Sequence, residues 1–521
     1  MKTRYIKKFI PVAAMMLLMG TTSCLNDLDV APIDPDVSLE FVQDEVFAKI
    51  YATMALTGQK GADGSGDVDG VDEGTSGFYR LLWNLNQLPS DETLCSWGDP
   101  GVPELNTVKW SSLDKQVQGL YGRLFFDVTL CNHFLEKTEG LSDSKTAMQR
   151  AEVRFMRALN YFYLLDFFGN VPLALSVSSE APAQATSAEV FAFIEKELDE
   201  CEAEMSEPMQ SAYGRADKAA NWMLRARLLL NAEVYTGTAR WADAATYAEK
   251  VLNTPYSLSP VYAHLFMADN SGSSANQARN EIILPIAADG IYTKSWATTF
   301  YMIASTRQDG MNASGIRDGW AGNRARKALV EKFFENGEIP AGANLRDLST
   351  LGDERAKFFA EDRTVTIEKM SEFKQGLSVE KFSNLRADGA EVSDPVFPDT
   401  DVPFFRLAEA KLIFAEATLR AGGSSAEALA QVNDLRARAN AEKLTSITIE
   451  DILDEKSREF YFEGQRRTDL IRYGYFGASN YLWDWKGGAP KGTTFAKHYN
   501  LYPIPQTELT SNDKLTQNPG Y

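Results

Sequence analysis

Histidine is almost missing. The 521 residues hold three, His133, His264 and His498, and none forms H-E-x-x-H. No G-x-S-x-G and no G-x-x-x-x-G-K-[ST] occurs either, so the common zinc-protease, serine-hydrolase and P-loop chemistries are left without their motifs. Cysteine is scarce, with four in all. Leaving aside Cys24, the spacing of Cys95, Cys131 and Cys201 fits no zinc pattern, and an odd number argues against a disulfide framework; small buried thiols are the expectation. Positive charge is in deficit: 53 Lys and Arg stand against 72 Asp and Glu, a net −19. Such a surface repels phosphate backbones and argues against nucleic-acid binding. Beyond the N-terminus no run of about 18 apolar residues appears, so no membrane-spanning helix is expected there.

The first 24 residues, "MKTRYIKKFIPVAAMMLLMGTTSC", are distinctive. A basic start precedes an apolar run near Phe9–Met19, too short to span a bilayer stably. Small residues then lead to Cys24. This reads as a lipoprotein signal over 1–23, with lipid added at Cys24 as the anchor. The acidic, Pro-containing stretch "CLNDLDVAPIDPD" (24–36) follows as an extended tether.

The body carries a helical-hairpin repeat. In "NWMLRARLLLNAEVYTGTARWADAATYAEKVL" (221–252), Ala226, Leu229, Leu230 and Val234 recur at helical spacing, as do Ala244, Ala248 and Val251. Residues 405–440 repeat the design around Gly422–Gly423, and 151–169 followed by 187–205 forms another pair. Residues 115–140 supply further helix. The fold class is therefore mainly α: four tetratricopeptide-like hairpins as a scaffold, three within 24–254 and the fourth in 255–521. That second region adds an irregular, loop-rich lobe with minor β. Residues 255–400 mix short apolar runs such as "EIILPI" with Gly, Asn, Asp and Ser clusters, and long irregular stretches of this kind usually carry function.

Residues 58–80, "GQKGADGSGDVDGVDEGTSGFYR", concentrate glycine and acid. An EF-hand register from Asp63 places Val68 where glycine is needed and Gly74 where glutamate is needed; a register from Asp67 places Val71 at a ligand position. Both fail. Two readings stay open: a solvated acidic loop, or a loop whose glycines adopt unusual φ and whose Asp72 and Arg80 serve as polar groups of a binding site. Trp97, Trp296 and Trp320 sit in "CSWGDPG", "YTKSWATTF" and "RDGWAGN", where periodic apolar packing is absent. Tryptophans presented by loops suit a ligand with apolar faces and hydroxyl edges, a sugar; alternatively each plugs its loop onto the helical body. Trp483 and Trp485 are assigned to packing of the C-terminal region. With 72 acids some carboxylate pair will lie close together, yet nothing singles one out for glycoside hydrolysis, and no enzyme is expected.

Several stretches together resemble the SusD/RagB family of outer-membrane nutrient-binding lipoproteins. They are the Cys24 signal with "NDLD", "RFMRALNYFYLLDFFGNVPL" (154–173), "GRADKAANWMLRARLLLNAEVYTG" (214–237), "RLAEAKLIFAEA" (406–417), "NDLRARAN" (433–440), "EKSREFYFEGQRRTDLIRYG" (455–474) and "YPIPQTEL" (502–509). The resemblance spans essentially the whole chain. It implies a non-enzymatic protein, anchored by lipid to the outer membrane and facing the cell surface. Such a protein binds glycan and caps a TonB-dependent (SusC-like) transporter through its repeats. Within the family the chain resembles the starch binders, which implies an α-glucan ligand and an aromatic arc. Trp296 falls where that arc has a Tyr, Trp320 matches an arc Trp, and Asp72 and Arg80 match polar groups beside it. In "CSW", Trp97 matches the second Trp of a W-x-W pair, while Cys95 replaces the first, assigned here to the arc. No cofactor is required; the resemblance suggests a structural calcium at "PDTD" through Asp399 and Asp401, although Ser271 stands where a third acid is expected and an ordinary turn is the alternative. The competing functions are binding of a different glycan, or a scaffold that binds only protein.

Overall fold

A computed structural model describes residues 40–317 and 319–521, so Cys24 and the tether lie outside the described residues. Residues 44–521 pack as one unit; the unit before it, 1–43, is described only from residue 40. The long helices begin where the sequence supplies caps. Asp114 accepts from the Gln116 and Val117 N–H groups at the start of Lys115–Lys137, and Asp143 does the same from Thr146 for Ser144–Phe168. Thr186 and Glu189 form a capping box on Ser187–Glu202, Asp217 caps Lys218–Leu230, and Thr448 with Asp451 caps Ile449–Phe460. Each such cap stabilises its helix by about 1 kcal/mol.

The helices then pair antiparallel. Lys115–Lys137 packs on Ser144–Phe168, which also meets Ser187–Glu202. The first pairing is thus made by two long helices, and Ser144–Phe168 starts earlier than its apolar period suggested. Lys218–Leu230 pairs with Trp241–Leu252, whose other side meets Leu407–Arg420. Leu407–Arg420 pairs in turn with Ser425–Arg438 across the Gly422–Gly423 turn and packs on Ile449–Phe460. The late hairpin therefore stacks on the early ones although more than 150 residues separate them. Fully buried alanines suit such close approach of paired helices: Ala244 and Ala248 on Trp241–Leu252, and Ala408 and Ala415 on Leu407–Arg420, which share a core with Ala428, Val432 and Ile452.

Val234 departs from the periodic reading. The helix stops at Leu230, and Asn231 turns its amide onto the Arg227 carbonyl before a separate short helix, Ala232–Thr236. The break shifts the register. Tyr235 faces inward, donating to Asp166 Oδ1 at 2.7 Å, and Val234 is left 44% exposed.

The inserted lobe is held by small antiparallel ribbons. "EIILPI" contributes the strand Ile282–Ile286, paired with Val402–Arg406, so the two ends of the insertion meet at Ile282 and Arg406. From that point a buried ion network spreads: Arg406 bonds Glu459, Glu463 and Glu281, and Arg355 bonds Glu455 and Glu459, with no exposure at either arginine. Buried charges persist only when paired in this way, and here they fasten the lobe to Ile449–Phe460. Cys95, Cys131 and Cys201 are all buried as free thiols. Trp483 packs on Phe476, and the Trp485 indole donates to the Ile367 carbonyl, so both pack within the protein. No helix among the described residues is long and apolar enough to cross a membrane.

Candidate functional site

The glycine- and acid-rich loop is a clamped structure. Arg123, buried in Lys115–Lys137, donates from Nη2 to the Thr57 carbonyl at 2.8 Å and from Nε to the Ser76 carbonyl at 3.0 Å. One guanidinium thus holds both ends of the loop. Lys49 pairs with Asp67 at 2.9 Å, and the Ala62 N–H reaches the Lys294 carbonyl at 3.1 Å. Of its glycines, Gly61 and Gly70 take positive φ, the freedom expected from sequence. The others matter for clearance. A Cβ on Gly66 would lie 2.7 Å from Ser76 Oγ, and one on Gly74 would lie 3.2 Å from Trp296 Cβ.

That last approach forms a cleft of about 750 Å³, mouth included, lined by Asp72, Glu73, Gly74, Arg80, Trp296 and Trp320. The structure thus brings Asp72, Arg80, Trp296 and Trp320 together from three distant stretches. Asp72 caps the single turn Glu73–Thr75, accepting from the Thr75 N–H at 3.1 Å. Glu73 accepts the Thr57 hydroxyl, and burial pushes its carboxyl above its usual range. Arg80, on the helix Phe78–Gln87, donates from Nη1 to the Gly74 carbonyl at 3.1 Å. Its guanidinium lies 4.6 Å over the Tyr301 ring and 6.0 Å from Trp320. Its Nε is buried without a hydrogen-bond partner among the described residues.

The aromatic side is a preformed concave bed. The Trp296 and Trp320 centroids are 6.1 Å apart with planes inclined by 39°. Phe300 sits edge-on behind both, 4.8 Å from each, and Phe397 supports Trp296 at 4.6 Å. The Trp296 indole also donates to the Ala62 carbonyl at 3.3 Å. Trp320 remains 37% exposed while its backbone is fixed, its N–H on the Ala304 carbonyl at 2.7 Å. Rings held this rigidly lose little freedom when a ligand stacks on them.

Neither Cys95 nor Trp97 lines the cleft. Cys95 lies in the strand Thr93–Cys95, 1% exposed, its N–H on Asn106 Oδ1, and burial pushes its thiol up to about 12. A side chain at position 95 belongs to the interior, so cysteine there removes no stacking surface. Trp97 does not line the cleft directly. It stands edge-on 6.3 Å from Trp320, and its indole occupies the space over Gly322, where a Cβ would come within 2.3 Å of Nε1. It buttresses Trp320.

At the "PDTD" turn, Asp401 accepts from the Tyr213 hydroxyl at 2.6 Å and the Ala288 N–H at 2.7 Å. Asp399 accepts from the Gly290 and Ser393 N–H groups, both at 2.8 Å. All four oxygens already hold donors, and among the described residues no three acidic, His or Cys side chains are grouped to hold a metal. This donor set fits a hydrogen-bonded turn and does not fit a calcium cage.

Sequence reasoning missed Glu73 and Gly74 as lining residues and Phe300, Tyr301 and Phe397 as the bed. Glu73 had a signal, since it adjoins Asp72. Phe397, about 100 residues from Trp296, had none.

A helical-repeat scaffold with an aromatic, carboxylate-edged cleft on its inserted lobe defines a ligand-binding protein, and the comparisons define its kin. A profile of the SusD family matches residues 292–521, and one described as "Starch-binding associating with outer membrane" matches 101–249. The chain is 45% identical to the starch-binding protein SusD of Bacteroides thetaiotaomicron, with all of both chains covered. It belongs to the SusD family. A SusD-like protein of Bacteroides ovatus is 23% identical over 78% of this chain and 75% of its own. Among solved structures, surface glycan-binding protein A of Bacteroides uniformis matches with TM-score 0.67 at 20% identity, covering 91% of this chain and 98% of that one. Surface glycan-binding protein A of B. thetaiotaomicron in complex with laminarihexaose matches with TM-score 0.66 at 20% identity, with the same coverage. At that identity the likeness is one of fold.

Proposed function

We propose that this chain is a cell-surface glycan-binding lipoprotein that captures starch or related α-glucan oligosaccharides and delivers them to a TonB-dependent outer-membrane transporter. The observation that carries the reading is the inclined Trp296–Trp320 pair beside Asp72, Glu73 and Arg80. Sugar C–H faces stack on the two rings, and the 39° between them favours a chain that curves as it passes from one to the other. Hydroxyls meet the carboxylates, the Arg80 guanidinium and the Gly74 peptide. The identity to a starch-binding protein over the full length supports the choice of α-glucan. The cleft is open, so each site binds modestly, and a polymer with many repeats raises the effective affinity. Lipid at Cys24 keeps the protein at the outer membrane, and the repeat helices offer the transporter-facing surface. The protein binds and passes on its ligand without cleaving it.

Calorimetric titration of the chain lacking residues 1–24 tests this. The panel is amylopectin, maltoheptaose, a cyclic maltooligosaccharide, laminarihexaose and a fructan, each repeated with Trp320→Ala. Heat with the α-glucans that disappears in the variant is expected, with no reducing ends released. Heat only with another glycan changes the specificity. No heat with any of them leaves a scaffold that binds protein alone.

A further inference from the structure

The segment that holds Trp320 also walls a second cavity. The carbonyls of Ala304 and Arg307 take the N–H groups of Trp320 and Ala321, at 2.7 and 2.9 Å. Ile303, Thr306 and Arg307 meanwhile line a cavity of about 890 Å³, mouth included, to which neither Trp296 nor Trp320 contributes. One part of its wall is apolar, with Met267, Ile303 and Val379. Another part is polar, with Arg307, Asn312, Lys357 and Glu380.

The cations of the polar part have donors to spare. Buried cations elsewhere are taken up either by acids, as Arg227 is by Glu409 and Arg466 by Asp91, or by several backbone carbonyls, as Arg326 is by those of Thr93, Leu88 and Asn106. Arg307 and Lys357 form no ion pair among the described residues. Arg307 donates from Nη1 to the Asn312 carbonyl at 2.6 Å, and Lys357 donates to Ser349 Oγ at 2.8 Å, so each retains further N–H donors. Glu380 accepts from the Asn312 backbone at 3.2 Å and from its Nδ2 at 2.8 Å. That Nδ2 also donates to the Arg346 carbonyl at 2.7 Å, which leaves Asn312 Oδ1 as an acceptor with no protein donor among the described residues.

Spare donors and spare acceptors thus face one space beside an apolar wall. An inorganic anion would meet Glu380, and a metal cation would meet Arg307 and Lys357. A neutral ring with hydroxyl edges and C–H faces suits both kinds of group. Its oxygens accept from Arg307 and Lys357, its hydroxyls donate to Glu380 and Asn312 Oδ1, and a face rests on Ile303 and Met267. The geometry points to a second carbohydrate site in this cavity, sized for one or two sugar rings and separate from the tryptophan cleft. The inference takes its probe, maltose, from the proposed function, but its residues are distinct.

Met267 and Met311 both line the cavity, so the methionine methyls report its occupancy. The chain lacking residues 1–24, labelled with [methyl-13C]methionine, is titrated with maltose, and Met267→Leu and Met311→Leu assign the two signals. Both methyls are expected to shift at millimolar maltose in the wild type and equally in Trp320→Ala. Lys357→Met is expected to weaken that response about tenfold while leaving the Trp320-dependent heat of maltoheptaose unchanged. Methyls that do not move in the wild type overturn the second site, whatever the cleft does. Methyls that respond only while Trp320 is intact also overturn it, because the cavity would then be following the cleft. Failure of the cleft appears separately, as absence of the Trp320-dependent heat.

Discussion

A Cβ placed on Gly77 would stand 2.2 Å from the Cβ of Ala297 and 3.1 Å from Cγ2 of Thr57. The glycine-rich loop and the segment bearing Trp296 therefore interlock through one missing methyl, next to the helix that carries Arg80. Gly77→Ala is expected to force the two apart, lowering stability by about 1–3 kcal/mol, the usual range for overpacking. Glucan affinity should fall with it, because Trp296 moves relative to Arg80. Adding Ala297→Gly should recover most of both. Melting curves and calorimetry on the two single variants and the double decide it; a double variant no better than Gly77→Ala alone would mean that the clash is not the cause.

Arg80 joins the acidic wall to the aromatic bed, since it bonds the Gly74 carbonyl and its guanidinium carbon lies 4.6 Å over the Tyr301 ring. Lysine keeps the charge but loses the planar stack and the fork of donors. Arg80→Lys is expected to cost about tenfold in α-glucan affinity, close to one lost charge-assisted hydrogen bond. Titration at low and high salt should give nearly the same loss, because the ligand is neutral. Full affinity in the lysine variant would show that charge alone suffices.

The helices were legible because their signals are local. Alanine and leucine at spacings of three and four and the Gly422–Gly423 turn act within one or two turns of chain. The loop tryptophans were legible for the opposite reason, being large rings where no periodic core could claim them. Val234 escaped through a local break, Asn231 ending the helix three residues before it. The rest of what escaped depended on distance: Cys95 became interior through pairing with Asn323, more than 200 residues away. The Arg406–Glu459 pair and the Phe397 support of Trp296 likewise arise only when the insertion closes on itself.

The turn holding Asp399 and Asp401 makes a prediction about metal. Each oxygen of both carboxylates already accepts from a donor, among them the Tyr213 hydroxyl and the Gly290 N–H. Removing divalent ions with a chelator is therefore expected to leave the melting temperature unchanged, and millimolar calcium should not raise it. A ligand at a hundred times its dissociation constant would add about 2.7 kcal/mol, an effect a melting curve detects easily. A calcium-dependent rise that disappears in Asp399→Asn would show that the turn rearranges around an ion.

Stability should peak on the acid side of neutrality, and the sign follows from particular carboxyls. Burial in Lys115–Lys137 pushes Asp127 from its ordinary 3.8 up to about 7, and burial pushes Asp114 up to about 6. Both hold a proton longer in the folded chain than in the unfolded one. Their contribution is full below about pH 4 and is lost as pH rises through their folded values, by up to about 1.4 kcal/mol per pH unit for each group. Asp469 opposes this at the acid end. Burial alone would raise it, but Lys456 and Arg472 together outweigh burial and hold it at about 2, so its contribution is lost only as pH falls below about 4. Urea unfolding at about pH 5 and about pH 8 should show the wild type less stable at the higher value. Asp127→Asn removes one titrating group without changing side-chain size, and the difference between the two conditions should shrink. An unchanged difference would mean that Asp127 titrates in the fold as it does in the unfolded chain.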